Sequence, residues 1–424
     1  MQSKAVLLLS AAKIFDSNKS VVVLLMSLLV LSGCALSEIN KQAKTVENAG
    51  TILGTVKVNS TQKGPIIVER FRFNGGVYFS EDKTTASDKG NYNFSVSPGS
   101  YYVSAYIDTN SDGLYQKGEA FNYYGEPTKI EVKFKNTVKV ETIIISDTPP
   151  PGAEEIQSTT KLEAPEQNVG LVVNMNAPMM NSENYTLGLW RPLNFIEKVG
   201  GGLLFLHEYD KNKTPVLFVH GINGGPKNWE KLIDNMDKER FQPWLLYYPS
   251  GVRLDMVSDY MLKAVIELQN KYKFKRINII AHSMGGLVTR SFIKKYVEQF
   301  PEAAKNIGLV MTINSPMDGM ASAASGVKHS PIVISSWRDV ATGSEFLQGI
   351  NNWSWPRYLD YHLVFSYSNK ENGDGVVSLQ SQIPTKLQAE AVRMYGFSNS
   401  HAGILLDEQF FSQFNTILAT SSLK

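Results

Sequence analysis

The sequence contains a single cysteine, Cys34, among 424 residues. One cysteine excludes an internal disulfide and argues against a zinc–thiolate site. Long apolar runs are also scarce. The most apolar stretch, residues 21–31, has eleven residues, whereas a helix needs about 20 to span a bilayer. The net charge is only +2, so the chain lacks the basic excess of a nucleic-acid-binding protein. The sequence also contains no internal repeat.

The apolar stretch at residues 21–31 follows three lysines and is typical of a signal-peptide core. It ends in Leu-Ser-Gly before Cys34, which resembles the bacterial lipobox and implies cleavage before Cys34 and acylation of its thiol. The alternative is an unmodified, buried cysteine. Removal of residues 1–33 takes away three Lys and one Asp, so the formal charge falls from +2 to about 0. By resemblance, Ala35 lacks the Asp of some inner-membrane retention signals, which favours the outer membrane of a bacterial envelope.

The pattern predicts five consecutive regions. These are a lipoprotein signal peptide (1–33), a polar tether (34–49), a β-sandwich domain (50–146), a Pro-rich linker and lead-in (147–184) and an α/β domain (185–424). Short alternating or β-branched segments separated by turn residues favour the sandwich: 51–58, 77–79, 92–96, 101–107 and 138–145. Gly-Asn-Tyr-Asn-Phe from Gly90 and Pro-Gly-Ser-Tyr-Tyr-Val from Pro98 resemble prealbumin-like or Cna-B-like sandwiches.

The C-terminal region alternates short apolar strands with amphipathic helices. We predict strands at 216–219, 244–248, 277–280, 309–313 and 362–366, and helices near 226–238, 255–272 and 284–299. This alternation is typical of a parallel sheet that is covered by helices on both faces.

Residues 276–286 read Arg-Ile-Asn-Ile-Ile-Ala-His-Ser-Met-Gly-Gly, the form of a nucleophile elbow. Small residues two positions either side, Ala281 and Gly285, allow the tight turn that would expose the Ser283 hydroxyl. The turn also places the Met284 N–H at a helix N-terminus, where it can stabilise an oxyanion. The alternative is an ordinary strand–turn–helix connection.

Upstream, Pro-Val-Leu-Phe-Val runs into His220-Gly-Ile-Asn-Gly-Gly. Together with the elbow, this resembles the α/β-hydrolase family, and specifically bacterial lipases with Ala as the first residue of Gly-x-Ser-x-Gly. The resemblance implies an α/β fold with a doubly wound, mostly parallel sheet, here preceded by a small all-β sandwich. It implies that Ile222 and Met284 offer the oxyanion-hole N–H groups and that His220 is structural.

The chain has six histidines. The family order of Ser, then Asp or Glu, then His leaves three of them as the base. His362 lies in an apolar strand, where a sheet residue is the simpler interpretation, and His329 lies in a region of small residues. His401 follows the strand-like segment 391–397 and precedes a final helix near 404–418, where the family has its base.

The acid should follow the strand 362–366. There, Asp374-Gly-Val-Val resembles the Asp-Gly-Leu-Val of bacterial lipases. A carboxylate here would accept the imidazole Nδ1–H and leave Nε2 free for Ser283. Asp-Gly is also common turn chemistry. The competing acids are Glu371, Asp339 and Asp360.

Residues 316–358 form an insertion that contains three of the six tryptophans. Two interpretations remain open: a cap over an acyl pocket, or local packing of a long excursion. Related lipases often have Gly-Thr-Pro-His-x-Gly after the strand that follows the elbow, whereas this chain has Asn-Ser-Pro-Met-Asp-Gly from Asn314 to Gly319.

Residues 108–119 match the calcium-loop template, with Asp108, Asn110, Asp112 and Glu119 as candidate oxygen ligands. The segment follows a strand rather than a helix, so an acidic hairpin turn is the alternative to a structural calcium site.

These features predict a lipid-anchored serine hydrolase that cleaves lipid or acyl carboxylic esters through a Ser–His–Asp triad and requires no cofactor. Its predicted partners are the ester substrate and, through the anchor, a membrane, with no nucleic acid. Phospholipases, thioesterases and acyltransferases use the same machinery. A different class is a surface binding or adhesion lipoprotein with a non-catalytic hydrolase fold.

Overall fold

The computed structural model describes residues 33–151, 168–368 and 372–421. Nine strands form one hydrogen-bonded network in the N-terminal part, and eight strands form a second sheet in the C-terminal part. The predicted signal peptide up to residue 32, linker residues 152–167 and the competing acid Glu371 lie outside the described residues, and so does the side chain of Cys34. Among the described residues, no helix combines the length and apolar character needed to span a bilayer.

The N-terminal strands are β1 (Gly50–Asn59), β2 (Ile66–Asn74), β3 (Val77–Thr85), β4 (Asn91–Val96), β5 (Gly99–Ile107), β6 (Phe121–Tyr123), β7 (Ile130–Val132), β8 (Thr137–Lys139) and β9 (Ile143–Ser146). Their order is β3-β2-β5-β6-β9-β1-β4, with β7 beside β5 and β8 beside β1. The first half of β1 pairs with β4 and its second half with β9, so the network folds over a shared core. In β4, Tyr92, Phe94 and Val96 are buried while the residues between them are exposed, as expected for a sheet with one wet face.

The sequence did not reveal β2, because charged residues interrupt its apolar pattern. Glu69 and Arg70 are nevertheless buried, and the structure supplies their partners. The Ser80 hydroxyl hydrogen-bonds Glu69, and Arg70 and Arg72 form ion pairs with Glu81. The predicted strand 138–145 is divided into β8 and β9, because the Val140 N–H turns to donate to the Leu53 carbonyl.

The C-terminal strands are β10 (Asn168–Val172), β11 (Gly202–Phe205), β12 (Thr214–Val219), β13 (Phe241–Tyr247), β14 (Ile277–His282), β15 (Ile307–Ile313), β16 (Asp360–Tyr367) and β17 (Arg393–Ser398). They follow the order β10-β11-β13-β12-β14-β15-β16-β17. Only the β11–β13 pair is antiparallel; the other pairs in this order are parallel. The five predicted strands of this region are confirmed. Residues 168–172 add an edge strand inside the predicted lead-in.

The helices are α1 (Gly33–Glu47), α2 (Glu183–Trp190), α3 (Pro192–Lys198), α4 (Glu230–Asp234), α5 (Leu254–Tyr272), α6 (Met284–Gln299), α7 (Pro301–Ala304), α8 (Ala321–His329), α9 (Ser335–Val340), α10 (Glu345–Asn351), α11 (Leu379–Gln382), α12 (Thr385–Glu390) and α13 (Glu408–Ser421). Short 3₁₀ turns lie at Pro178–Met180, Pro226–Trp229 and Gly403–Leu406. One core cluster packs α5 and α6 against the sheet, and a second packs α4 and α13. Helices therefore cover both faces, as predicted.

The predicted tether, residues 34–49, is largely the helix α1, which packs against the rest of the chain. Ile39, Gln42 and Val46 recur at helical spacing and are buried. The Gln42 side-chain oxygen accepts the N–H groups of Leu193 (3.1 Å) and Asn194 (3.3 Å), at the start of α3. The helix therefore docks on the α/β part of the chain.

The N-terminal strand network contacts the far end of α6. The Asp88 N–H donates to the carbonyl oxygen of Gln299, the last residue of that helix (3.0 Å), and Lys263 of α5 forms an ion pair with Asp82 of β3. Because α6 has 16 residues, this contact lies about 24 Å along the axis from the start of the helix.

Candidate active site

Ser283 occupies the sharp turn between β14 and α6, with φ 55° and ψ −130°. A non-glycine residue rarely adopts such a conformation, and close packing enforces it here. A Cβ on Gly285 would lie 2.3 Å from the carbonyl oxygen of Val219, and a Cβ on Gly221 would lie 2.7 Å from Ser283 Cβ. The small residues around the elbow are therefore required by backbone contacts with the end of β12.

The structure brings Ser283, His401 and Asp374 into one hydrogen-bonded chain. His401 Nε2 lies 2.9 Å from Ser283 Oγ, and His401 Nδ1 lies 2.7 Å from Asp374 Oδ2. Asp374 is on the loop after β16 and His401 on the loop after β17. The three side chains thus come from the carboxyl ends of strands in one sheet, the edge at which α/β proteins bind their ligands.

The Asp374 carboxylate is fully enclosed and has donors for both oxygens. Its Oδ1 accepts the N–H groups of Val376 (2.9 Å) and Val377 (2.7 Å), while Oδ2 faces the His401 ring. Three donors compensate the buried charge and fix the carboxylate plane. The tight Asp-Gly turn therefore serves to aim Asp374 at the imidazole.

The competing residues lie elsewhere. His362 is in β16, 3.2 Å from Asp360 and stacked on Tyr395, and His329 ends the exposed helix α8. Asp339 is buried in an ion pair with Arg253. None of these four side chains has a hydrogen bond to Ser283 among the described contacts.

The proposed oxyanion donors flank the elbow. Met284 is the first residue of α6, so its N–H has no acceptor within the helix. Ile222 lies in the loop after β12, directly beyond Gly221. That loop is fixed through His220, whose Nδ1–H donates to the Gly221 carbonyl (2.8 Å) and whose ring stacks on Tyr248 at 4.1 Å. Burial lowers the pKa of His220 to about 4, so the ring is neutral near pH 7.

Two side chains for which the sequence predicted no role at the site contact His401. His282 Nε2 and Asn314 Nδ2 lie 2.8 Å and 3.0 Å from the backbone carbonyl oxygen of His401. The departure from the lipase pattern at Asn314 was the only available signal. That departure showed that Asn314 differs from the residue in the lipase pattern, but it did not show which atom the side chain contacts.

The insertion 316–358 forms α8, α9 and α10, and two of its tryptophans pack on a cation. The guanidinium of Arg290, a residue of α6, lies 5.7 Å from the ring centroid of Trp353 and 4.8 Å from that of Trp355. Arg290 also donates to the Ile350 carbonyl (3.1 Å) and the Trp353 carbonyl (2.7 Å). These contacts hold the C-terminal half of the insertion to α6, and for these two tryptophans they favour the packing interpretation.

In the candidate calcium loop, the carboxylates accept hydrogen bonds from the loop itself. Asp108 accepts from the N–H groups of Asp112 (3.1 Å) and Gly113 (2.8 Å), and Glu119 accepts from Thr109 (2.7 Å). Asn110 Nδ2 donates to Asp112. In the described part of the chain, no group of three or more His, Cys, Asp or Glu side chains has metal-binding geometry. These bonds account for the acidic hairpin without a metal, and calcium binding stays a prediction.

A profile of the family described as alpha/beta hydrolase of unknown function (DUF915) matches residues 252–390, about a third of the chain. The matched segment contains Ser283 and Asp374 and ends before His401. The fold is that of an α/β hydrolase. The predicted fold class is thereby confirmed. No curated protein matches the sequence.

Several solved structures are similar to about half of this chain. A Bacillus licheniformis lipase in its mature form is 16% identical with a TM-score of 0.40, covering 50% of this chain and 94% of that chain. A Listeria innocua gene product is 14% identical (TM-score 0.38, covering 49% and 94%). A lipase–esterase related protein from Clostridium acetobutylicum is 13% identical (TM-score 0.36, covering 51% and 99%).

Proposed function

We propose that this chain is a serine hydrolase of carboxylic esters. One observation carries the proposal: Ser283, His401 and Asp374 form a continuous hydrogen-bonded chain on a strained elbow. A serine hydroxyl is a weak nucleophile unless a base removes its proton as it attacks. The His401 Nε2 atom is within reach to do so, and Asp374 holds the tautomer that leaves Nε2 unprotonated.

The proposed reaction has two halves. Ser283 Oγ attacks the acyl carbon while its proton moves to His401 Nε2. The resulting oxyanion is held by the N–H groups of Ile222 and Met284. His401 then protonates the departing alkoxide, which leaves an acyl-enzyme. In the second half a water molecule loses a proton to His401 and attacks the acyl carbon, which releases the acid and restores Ser283 Oγ–H.

We further propose that the acyl group is apolar. Exposed aliphatic side chains flank each part of the machinery: Ile222 is 39% exposed, Val376 37% and Leu406 65%. The segments that carry them, 221–225, 372–378 and 399–406, contain only two ionisable residues, Asp374 and His401. Few charged groups would therefore lose their hydration when this surface contacts lipid or acyl chains, and the apolar contact itself is favourable.

The anchor and location complete the proposal. The lipobox-like sequence before Cys34 leads directly into α1, and α1 docks on the hydrolase domain. We therefore propose acylation at Cys34 in a bacterial envelope, with the outer membrane preferred. The test of this part is the mass of the N-terminal peptide from membrane-extracted protein: acylated Cys34 supports it, and an unmodified Cys34 contradicts it.

The test of the activity is reaction of the full chain with a fluorophosphonate probe, followed by peptide mass analysis and a p-nitrophenyl ester series of increasing chain length. The expected result is an adduct on Ser283, with Ser283→Ala unlabelled and inactive. A longer-chain optimum supports the apolar acyl group. Folded protein that neither labels nor turns over esters overturns the enzyme proposal and favours a binding lipoprotein.

A further inference from the structure

We infer that Asn314 is a positioning residue for the base, and that it holds the main chain of His401 at the sheet. This inference rests on the proposed function for its catalytic meaning. The juxtaposition that carries it is the pair of N–H donors, Asn314 Nδ2 at 3.0 Å and His282 Nε2 at 2.8 Å, which converge on the His401 carbonyl oxygen.

The sheet order explains why such a tie is needed. Ser283 follows β14, whereas His401 follows β17, and β15 and β16 lie between them. The loop that carries the base must therefore cross two strands to reach the serine. Asn314 directly follows β15. Its own N–H extends the ladder to the Val364 carbonyl in β16 (3.0 Å), so its side chain is fixed midway along that crossing.

The backbone at Asn314 is consistent with a dedicated role. Its φ is +50°, a region that favours glycine and that asparagine tolerates better than most residues. Bacterial lipases of the kind the sequence resembles often have Gly here. Asn314 is fully buried. Because the His401 carbonyl can only accept a hydrogen bond, the amide nitrogen of Asn314 must face it.

His282 completes the arrangement. It is the last residue of β14, and burial, together with the nearby charge of His401, lowers its pKa to about 3. The ring is therefore neutral, and its Nε2 must carry the proton because its partner is a carbonyl oxygen. With the His401 N–H donating to the Asp374 carbonyl (3.0 Å), both backbone groups and both ring nitrogens of the base are held.

The test compares Asn314→Gly with Lys273→Gly in the full chain. Glycine keeps the backbone conformation at both sites and removes the amide only at 314. Lys273 is the matched control, since it has φ +51° and caps α5 at an exposed position. The readouts are the labelling rate of Ser283, kcat and KM for an ester, the urea midpoint and the low-field proton resonance of His401 Nδ1–H in histidine-labelled protein.

We expect Asn314→Gly to lower the labelling rate and kcat about three- to tenfold, the worth of one hydrogen bond. KM should stay unchanged, because a fully buried side chain does not contact substrate. The Nδ1–H resonance should shift or broaden in Asn314→Gly. In Lys273→Gly, the labelling rate, kcat, KM and this resonance should keep their wild-type values. Asn314→Asp should lose more, since it opposes a carboxylate to the carbonyl.

Wild-type rates and an unchanged resonance in Asn314→Gly would overturn the inference and reduce Asn314 to a turn residue. Failure of the proposed function looks different. In that case the wild-type protein itself does not label, and the resonance still reports whether Asn314 positions His401.

Discussion

Asp339, in the insertion, and Arg253, at the start of α5, form an ion pair with contacts of 2.6 Å and 2.8 Å, in which the carboxylate is buried and the guanidinium side chain is 40% exposed. The Asp339 carboxylate also accepts the Leu254 N–H at 2.7 Å. One side chain therefore joins α9 to the N-terminus of α5, so this half of the insertion is also tied to the α/β part of the chain, as the other half is through Arg290.

We predict that Asp339→Ala lowers the free energy of unfolding by about 2–3 kcal/mol, because it leaves a buried N–H and a guanidinium without their acceptor. Urea unfolding at pH 7 measures the change. Asp318→Ala is the control, since that carboxylate lies in the same insertion and is exposed. Equal stability of the two variants would contradict this role for Asp339.

A second prediction concerns the elbow. Gly285→Ala should cost the protein its fold or lower the Ser283 labelling rate by at least about 100-fold, because the new Cβ would meet the Val219 and His220 carbonyls at 2.3 Å and 2.6 Å. Gly349→Ala in α10 meets no atom within 4 Å. It should instead gain about 0.5–1 kcal/mol through helix propensity.

Soluble yield, thermal midpoint and labelling rate compare the two glycine variants. A fully active Gly285→Ala protein would show that the elbow does not need its close contact with β12.

The third prediction is a pH dependence that comes from His282. Folding lowers its pKa from an unfolded value of about 6.5 to about 3, first through burial and then through the charge of His401. The neutral ring therefore contributes stability that is fully present above about pH 6.5 and is lost as the pH falls toward the folded pKa.

In His282→Gln this linkage disappears. Between pH 6 and 4.5, the unfolding free energy of the wild type should fall more steeply than that of the variant by about 1.4 kcal/mol per pH unit, the value for one proton. Urea unfolding at several pH values measures both slopes, and parallel slopes would contradict the assignment. The comparison cancels the opposite contribution of a buried acid whose pKa is raised by burial, such as Glu69.

The sequence alone was sufficient for the features that depend on local pattern. The elbow around Ser283 and the strands beside it follow from short-range rules on glycine, β-branching and helix starts. Motif order then selected Asp374 and His401, and the structure places both beside Ser283. These residues could be found because each sits at a strand end with its own recognisable turn.

Features that depend on a distant partner were not accessible. Asn314 and His282 gain their role from a carbonyl on another loop, and Glu69 is tolerated in β2 through Ser80 on the next strand. The tryptophans at 353 and 355 fitted a pocket lining and local packing equally well from the sequence, because their contact with Arg290 of α6 is a long-range one. Polarity at residues 34–49 suggested a tether, because three buried positions in a mostly polar helix carry little signal.

The docked helix α1 has a consequence for how the protein would meet the proposed substrate. Because Ile39, Gln42 and Val46 are buried, the segment that follows Cys34 is a packed helix. An acyl group on Cys34 would then attach the protein to the membrane through a rigid helix rather than through a flexible segment. The proposed active site would keep a fixed distance from the lipid surface and a fixed orientation to it. Its substrates would then come from the membrane to which the protein is anchored.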